Sequence, residues 1–168
     1  MAAAKTPRNY HSTSLLLPDG TVLTSGGGLC YDGGNYDPAA DHPDAEIFSP
    51  LYLFKDGQPA TRPVIADMSF GPDNDDSFKV SMDGTFAAVL QGAPQGEVRF
   101  SIVRLGSATH SINTDQRRIA LTPTGGADGR YTFQLSRASG ALSPGFWYFF
   151  AMVDGVPSVS RTIQVTLG

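Results

Sequence analysis

The stretch PGFWYFFAMVDG, residues 144–155, decides the fold class. Its central run, residues 146–153, is apolar or aromatic throughout, with Pro-Gly before it and Asp-Gly after it. Such a run is far too short to span a bilayer, which takes about 20 residues in a helix. A short apolar run bounded by turn residues is typical of a buried strand. The stretch therefore predicts a core strand that contains Trp147.

The residues around this strand repeat the pattern of short runs separated by turns. Turn signals are Asp56-Gly57, Asp83-Gly84 and Gly125-Gly126, and no window has sustained helical spacing of apolar residues. The expected strands are 51–54, 77–82, 85–89, 98–105, 111–113, 118–121, 131–135, 147–153 and 162–165. These nine candidates in about 115 residues, enough for the seven or so strands of an immunoglobulin-like β-sandwich and with a tryptophan in an apolar strand, predict that fold.

The first fifty residues predict a separate unit. Expected strands 12–17 and 21–25 flank Pro18-Asp19-Gly20, which is hairpin chemistry, and 45–48 is a third short strand. The aspartate-rich segment 29–44 is expected to be an exposed loop. This arrangement resembles part of a propeller blade, whose faces other blades would cover. We therefore predict an all-β chain with a partial blade in residues 1–50 and a sandwich in 51–168, connected around Pro59 and Pro63.

Composition narrows the classes of partner. The net charge is −4 and the basic residues are scattered, so we expect neither nucleic acid nor a membrane as a partner. Cys30 is the single cysteine, which excludes an intrachain disulfide and leaves the redox compartment open. The N-terminal residues have no apolar segment suited to a secretory signal. The sequence therefore leaves localisation unknown.

Residues able to bind metal are few. The histidines are His11, His42 and His110, and Tyr10 directly precedes His11. Consecutive side chains on a strand point to opposite faces, so Tyr10 and His11 can serve one site only at a strand start or a twist. From these residues alone, a packed tyrosine beside an edge histidine is the simpler interpretation. Likewise, the glycines at 26–28 indicate a strand terminus rather than a phosphate loop, because no helix follows them.

Three segments carry a family resemblance: RNYHSTSLLLPDGTVLTSGGGLC at 8–30, LGSATHSINTDQRRIALT at 105–122 and PGFWYFFAMVDGVPSVSRTIQV at 144–165. In this order and at these separations they resemble the C-terminal part of galactose oxidase and glyoxal oxidase-like copper radical oxidases. The resemblance implies a kelch-type propeller, of which only part of a blade is present here, followed by an immunoglobulin-like early-set sandwich. A hairpin from that sandwich delivers one ligand to a mononuclear copper.

The resemblance assigns roles to three residues. Tyr10 matches the axial tyrosine and is the expected catalytic residue, while His11 and His110 match the two equatorial histidines. Two imidazoles and a phenolate oxygen suit Cu(II), which favours tetragonal nitrogen and oxygen ligation. The resemblance thus overrides the simpler interpretation for these three residues. His42 matches no ligand.

The departures from the family pattern limit the expected activity. These oxidases require a tyrosine covalently joined to a cysteine, and both residues lie on earlier blades than this sequence contains. Oxidising an alcohol with reduction of dioxygen to peroxide takes two electrons, of which copper supplies one and the radical tyrosine the other. The substrate-binding residues also lie on those blades. We therefore expect a copper site without oxidase activity in this chain alone, completed by blades from a longer or second chain.

Cys30 is not a substitute for the missing cysteine. It matches a family GLCGDC motif whose two cysteines form a disulfide, and Gly33 stands in place of the second, which leaves a free thiol. Tyr31 and Tyr36 are interpreted as solvated loop residues.

The alternative function class is a non-catalytic early-set module for interaction or carbohydrate binding, with a vestigial metal motif. A homo-oligomer is also open, since the leucines and valine of the hairpin form an apolar surface that must be covered; they are Leu15, Leu16, Leu17, Val22 and Leu23. Arg117 and Arg118, beside Asp115, are expected to hold the second hairpin in shape through charge-assisted hydrogen bonds.

Overall fold

The chain folds as an all-β protein, as its turn-rich sequence predicts. The computed structural model describes residues 3–28, 41–71, 78–110, 112–137 and 140–168. The strands are β1 Ser12–Leu16, β2 Val22–Gly26, β3 Ala45–Phe48, β4 Phe54–Lys55, β5 Gln58–Pro59, β6 Ile65–Phe70, β7 Lys79–Ser81, β8 Thr85–Leu90, β9 Val98–Arg104, β10 Ala108–Thr109, β11 Ile112–Asn113, β12 Arg118–Leu121, β13 Gly125–Ala127, β14 Arg130–Gln134, β15 Gly145–Val153, β16 Val156–Pro157 and β17 Arg161–Thr166. Within these residues no helix has the length and apolar character needed to cross a membrane.

The sandwich consists of two sheets. One has six strands, in the order β12-β9-β15-β17-β7 with β16 beside β15, and the other has the order β13-β14-β8-β6. Strand β15, from the stretch that decides the fold, lies between β9 and β17. Its residues Trp147 and Phe149 are 0% exposed, as is Phe133 of the facing sheet. The rings of Phe133 and Phe149 pack edge to face, 5.4 Å apart, and close the core.

The N-terminal residues form a three-stranded antiparallel sheet in the order β1-β2-β3. Its first hairpin has the predicted Pro-Asp-Gly turn, in which the Gly20 amide donates to the Leu17 carbonyl at 2.9 Å. Gly20 has φ +81°, the left-handed conformation that glycine adopts without steric cost. The turn therefore uses glycine where the backbone requires it.

This small sheet lies against the outer face of the six-stranded sheet. Ser101, Val103 and Phe150 point away from the core, yet they are only 2%, 7% and 5% exposed. With Leu16 they border a cavity of about 200 Å³ under the hairpin turn. The Ser160 amide also donates to Pro18 at 2.8 Å. Part of the apolar hairpin surface is thus covered by the chain's own sandwich.

Several sequence expectations about strands differ from the structure. Gly125-Gly126, predicted to be a turn, lies in β13 and pairs with β14. The predicted strand 51–54 is wrong, because Leu51–Leu53 is a single 3-10 turn that follows Pro50. A short apolar run does not by itself distinguish a strand from a turn. Strand β6 was not predicted, since a register shift between Ile65 and Asp67 breaks its alternation. Residues 77 and 111, each predicted to begin a strand, and residues 29–40 of the predicted loop lie outside the described residues.

Candidate metal centre

Tyr10 and His11 lie in a tight turn directly before β1. The Asn9 carbonyl accepts hydrogen bonds from the Ser12 amide at 3.2 Å and the Ser12 hydroxyl at 2.5 Å. His11 has φ +60°, a left-handed conformation that residues other than glycine seldom adopt. The turn places the two rings together, with centroids 4.0 Å apart. Both side chains can therefore serve one site, in the twisted backbone that the sequence requires for this.

The three glycines after β2 support this turn. The Gly28 amide donates to the Tyr10 carbonyl at 3.0 Å. A Cβ atom on Gly26, whose φ is +72°, would lie 2.6 Å from the His11 carbonyl oxygen. Residues 26–28 end a strand, as predicted, but their contact with the Tyr10–His11 turn was not predicted. A glycine run permits close approach of another backbone, and that was the available signal.

His110 comes from the sandwich, at the tip of the β10–β11 hairpin. Thr109 pairs with Ile112 in this ribbon, and His110 follows with φ +52°. The Thr109 hydroxyl lies 2.7 Å from His110 Nδ1. That contact leaves Nε2 as the nitrogen free to bind a metal.

The three rings converge although they are far apart in sequence. The His11 and His110 centroids lie 5.8 Å apart, and those of Tyr10 and His110 lie 6.3 Å apart. Metal–imidazole bonds are about 2 Å long, so two imidazoles on one ion have centroids within about 6 Å of each other. Tyr10 is 44% exposed, and both histidines are exposed. The ring separations therefore allow one ion to be shared at a solvent-exposed position.

No group of three or more His, Cys, Asp or Glu side chains suited to a metal occurs among the described residues. The cluster thus depends on the tyrosine as its third donor. A tyrosine oxygen with two imidazoles is a donor set for Cu(II) rather than for a structural zinc site, which takes four cysteine or histidine ligands.

Other residues considered from the sequence lie elsewhere. His42 contributes its backbone amide, which donates to the Gly27 carbonyl at 2.8 Å. Arg117 donates from Nε to the Asp115 backbone carbonyl at 3.1 Å, a charge-assisted hydrogen bond next to the hairpin. Arg118 borders the cavity under the first hairpin. Residues 30, 31, 33 and 36 lie outside the described part of the chain.

Arg8 lies two residues before Tyr10, and its structural role was not predicted from the sequence. Its side chain is only 7% exposed and forms an ion pair with Asp44, with 3.2 Å between Nη2 and Oδ2. The hydrogen bond from Arg8, reinforced by its charge, lowers the pKa of the Asp44 carboxyl below its ordinary value. The sequence feature that could have indicated this ion pair is an arginine two residues before Tyr10 together with acidic residues at positions 44 and 46.

Comparison with known proteins identifies the family of the sandwich part of the chain. Residues 62–165 match the family model described as galactose oxidase-like, early set domain. The chain belongs to this family. A galactose oxidase from Gibberella zeae is 44% identical over 161 residues, covering 95% of this chain and 22% of the relative. An aldehyde oxidase from Vitis pseudoreticulata is 38% identical over 173 residues, covering 95% of this chain and 30% of the relative.

A solved structure is similar over nearly the whole chain. It is a fungal alcohol oxidase with catalytic diversity among the AA5 family, in complex with copper. The TM-score is 0.84 at 39% identity, and the match covers 99% of this chain and 33% of that one. The galactose oxidase-like chain described here therefore spans about a third or less of each of these relatives.

Proposed function

We propose that this chain is the C-terminal portion of a galactose oxidase-like copper radical oxidase, which oxidises a primary alcohol or aldehyde with dioxygen and releases peroxide. The observation that carries the proposal is the convergence of Tyr10, His11 and His110, whose ring centroids lie within 6.3 Å of one another. The family membership and the copper-bound neighbour support the same metal.

The proposed roles follow from the positions of the side chains. His11 and His110 would hold copper through imidazole nitrogens, and Tyr10 through its phenol oxygen. Bound copper would supply one-electron redox chemistry. Tyr10 is 44% exposed, and as a phenolate it would accept a proton from a substrate hydroxyl and become a phenol. Tyr10 is therefore proposed as a catalytic residue as well as a ligand.

We propose that the site is incomplete without other parts of the oxidase. The sequence has Cys30 as its single cysteine, and that residue is not proposed to form the Tyr-Cys cofactor. Residues 1–50 would be part of a kelch-type blade and residues 51–168 the early-set sandwich. The remaining blades would come from a longer chain or from a second chain.

Copper titration followed by EPR tests the metal site. We expect one Cu(II) per chain with a tetragonal signal, lost in His11→Ala and in His110→Ala because each removes an equatorial nitrogen. His42→Ala is the matched control and should bind copper normally, since His42 lies in the same N-terminal unit and is not a proposed ligand. Absence of stoichiometric binding by the native chain would contradict the proposal and favour a non-catalytic early-set module.

Peroxide release tests the second part of the proposal. The copper-loaded chain should give none from galactose, glyoxal or benzyl alcohol, because the second redox centre is not encoded. Measurable turnover by this chain alone would overturn the argument about the missing cofactor.

A further inference from the structure

The side chain of Arg8 joins two strand ends beside the metal centre. Its Nη1 donates to the Gly26 carbonyl at 2.8 Å and to the Asp44 carbonyl at 3.2 Å. Its Nη2 lies 3.2 Å from Asp44 Oδ2 and 3.7 Å from Glu46 Oε2. Gly26 is the last residue of β2, and Asp44 directly precedes β3. The guanidinium thus fixes where these two strands end and begin.

The same strand end supports the turn that holds the ligands. Gly26 pairs with Ser12 in the β1–β2 ladder, and its Cα faces the His11 carbonyl. Two residues further on, the Gly28 amide bonds the Tyr10 carbonyl at 3.0 Å. The backbone of Tyr10 and His11 is therefore in contact with residues 26–28. The carbonyl of Gly26, the first of these residues, accepts a hydrogen bond from Arg8.

The chemistry of Arg8 suits a fixed link rather than a mobile surface charge. With 7% of its side chain exposed, the guanidinium has lost most of its hydration, which is costly unless carboxylates and carbonyls replace the water. Its Nη1 makes hydrogen bonds to the Gly26 carbonyl, the Asp44 carbonyl and Asp44 Oδ1, while Nη2 faces the Asp44 and Glu46 carboxylates as an ion pair. The shorter point charge of lysine has one nitrogen for both sets of contacts.

We propose that Arg8 is a positioning residue for the copper site: by tying Gly26 to Asp44 and Glu46, it holds the turn that presents Tyr10 and His11 to His110. This inference rests on the proposed function only for the identity of the metal. The positioning itself is a property of the metal-free chain, and it can be tested without copper.

The first test measures amide hydrogen exchange by NMR in the metal-free chain. In Arg8→Met, the Gly28 and Ser12 amides should exchange at least about 10-fold faster, while amides of the β9–β15 ladder keep their native protection. Arg8→Lys should fall between Arg8→Met and the native chain, because it keeps the charge but has one nitrogen in place of Nη1 and Nη2. Arg99→Met is the matched control, since it removes an exposed arginine–glutamate pair at 2.7 Å. Arg99 lies at the start of β9, so the turn amides and the ladder amides beyond its own pair with Met152 should keep their native exchange.

Two results would overturn the proposal at this stage. Unchanged exchange at Gly28 and Ser12 in Arg8→Met would show that the turn does not depend on Arg8. Equal acceleration in the turn and in the β9–β15 ladder would show a general effect on stability instead of positioning. Asp44→Asn, which leaves the Gly26 bond available to Arg8, gives a milder second variant if Arg8→Met does not fold.

The second test adds Cu(II) and compares the dissociation constant and the EPR parameters. Changes in residues that support metal ligands weaken affinity about 10-fold to 100-fold. We expect a loss in this range for Arg8→Met, with altered copper hyperfine splitting, and native values for Arg99→Met. Native affinity and splitting in Arg8→Met would overturn the inference. Failure of the native chain itself to bind copper would contradict the proposed function, while the exchange test would still decide the role of Arg8.

Discussion

Both proposed histidine ligands have left-handed backbone conformations. The φ angles are +60° at His11 and +52° at His110. Such conformations cost about 1–3 kcal/mol each for residues other than glycine and persist only where the surrounding structure imposes them. At His11 the structure that imposes it is the turn closed by Asn9 and Ser12. The strained backbone at both histidines sets the directions of their side chains at a cost in stability.

Gly26→Ala tests the close approach of the two backbones. The new Cβ would meet the His11 carbonyl oxygen at 2.6 Å in a residue with φ +72°, so we expect a loss of at least about 2 kcal/mol in the free energy of unfolding. Gly57→Ala is the control, because Gly57 has φ +76° and no atom within 4 Å of the added Cβ. It should cost about 1 kcal/mol. Equal losses in urea denaturation would show that the contact with His11 is unimportant.

Thr109→Val tests the hydrogen bond to His110 Nδ1, whose length is 2.7 Å. A histidine that binds metal through one nitrogen is oriented by the hydrogen bond that its other nitrogen makes. Loss of the hydroxyl should therefore weaken copper binding about 10-fold or more, measured by competition with a chelator. Thr109→Ser keeps the hydroxyl and should bind copper nearly as the native chain does. Equal affinity of the valine and serine variants would argue against the orienting role.

The strand pattern was largely predictable from the sequence at the level of elements. Short runs between turn residues predicted β3 and β12 with their observed ends and β1, β2, β8, β9, β14, β15 and β17 to within a few residues. The failures have physical causes: a register shift interrupts β6, and a single 3-10 turn at Leu51–Leu53 follows Pro50, so that the strand begins only at Phe54. Pairs as short as β4–β5 arise from tertiary packing and have too few residues to show a pattern.

The hairpin turn between β1 and β2 gives a prediction about pH. The Asp19 carboxylate accepts from the Thr21 hydroxyl at 2.6 Å and the Thr21 amide at 2.9 Å. The hydroxyl contact, with help from the amide and the charge of Arg62, lowers the pKa of Asp19 below its ordinary 3.8. Because the folded pKa is depressed, ionised Asp19 stabilises the turn above pH 3.8, and this contribution is lost as the pH falls through the lowered pKa.

An NMR titration of the Asp19 carboxyl measures this effect. In Thr21→Val the pKa should rise toward 3.8, and the free energy of unfolding at neutral pH should fall by less than about 1 kcal/mol, since the turn is exposed. Thr124→Val is the control, because the Thr124 hydroxyl donates to a carbonyl, that of Thr132. A native Asp19 that titrates at or above 3.8 would contradict the account.

The proposed ligands come from two parts of the chain that the fold brings together. Tyr10 and His11 belong to the small N-terminal sheet, whereas His110 belongs to a hairpin of the sandwich. The two units meet through bonds such as that from the Tyr52 hydroxyl to the Gly20 carbonyl at 2.5 Å. The family resemblance suggested the ligand set, but strand periodicity contains no information on how distant segments dock. The 5.8 Å separation of the His11 and His110 rings is therefore visible only in the structure.

The most direct test of the central claim is to count imidazole nitrogens on Cu(II) by pulsed EPR. In the copper-loaded native chain we expect two equivalent histidine signals, reduced to one in His11→Ala and in His110→Ala and unchanged in His42→Ala. A native chain in which copper has a single imidazole, or the same two imidazoles after either substitution, would contradict a site shared by Tyr10, His11 and His110.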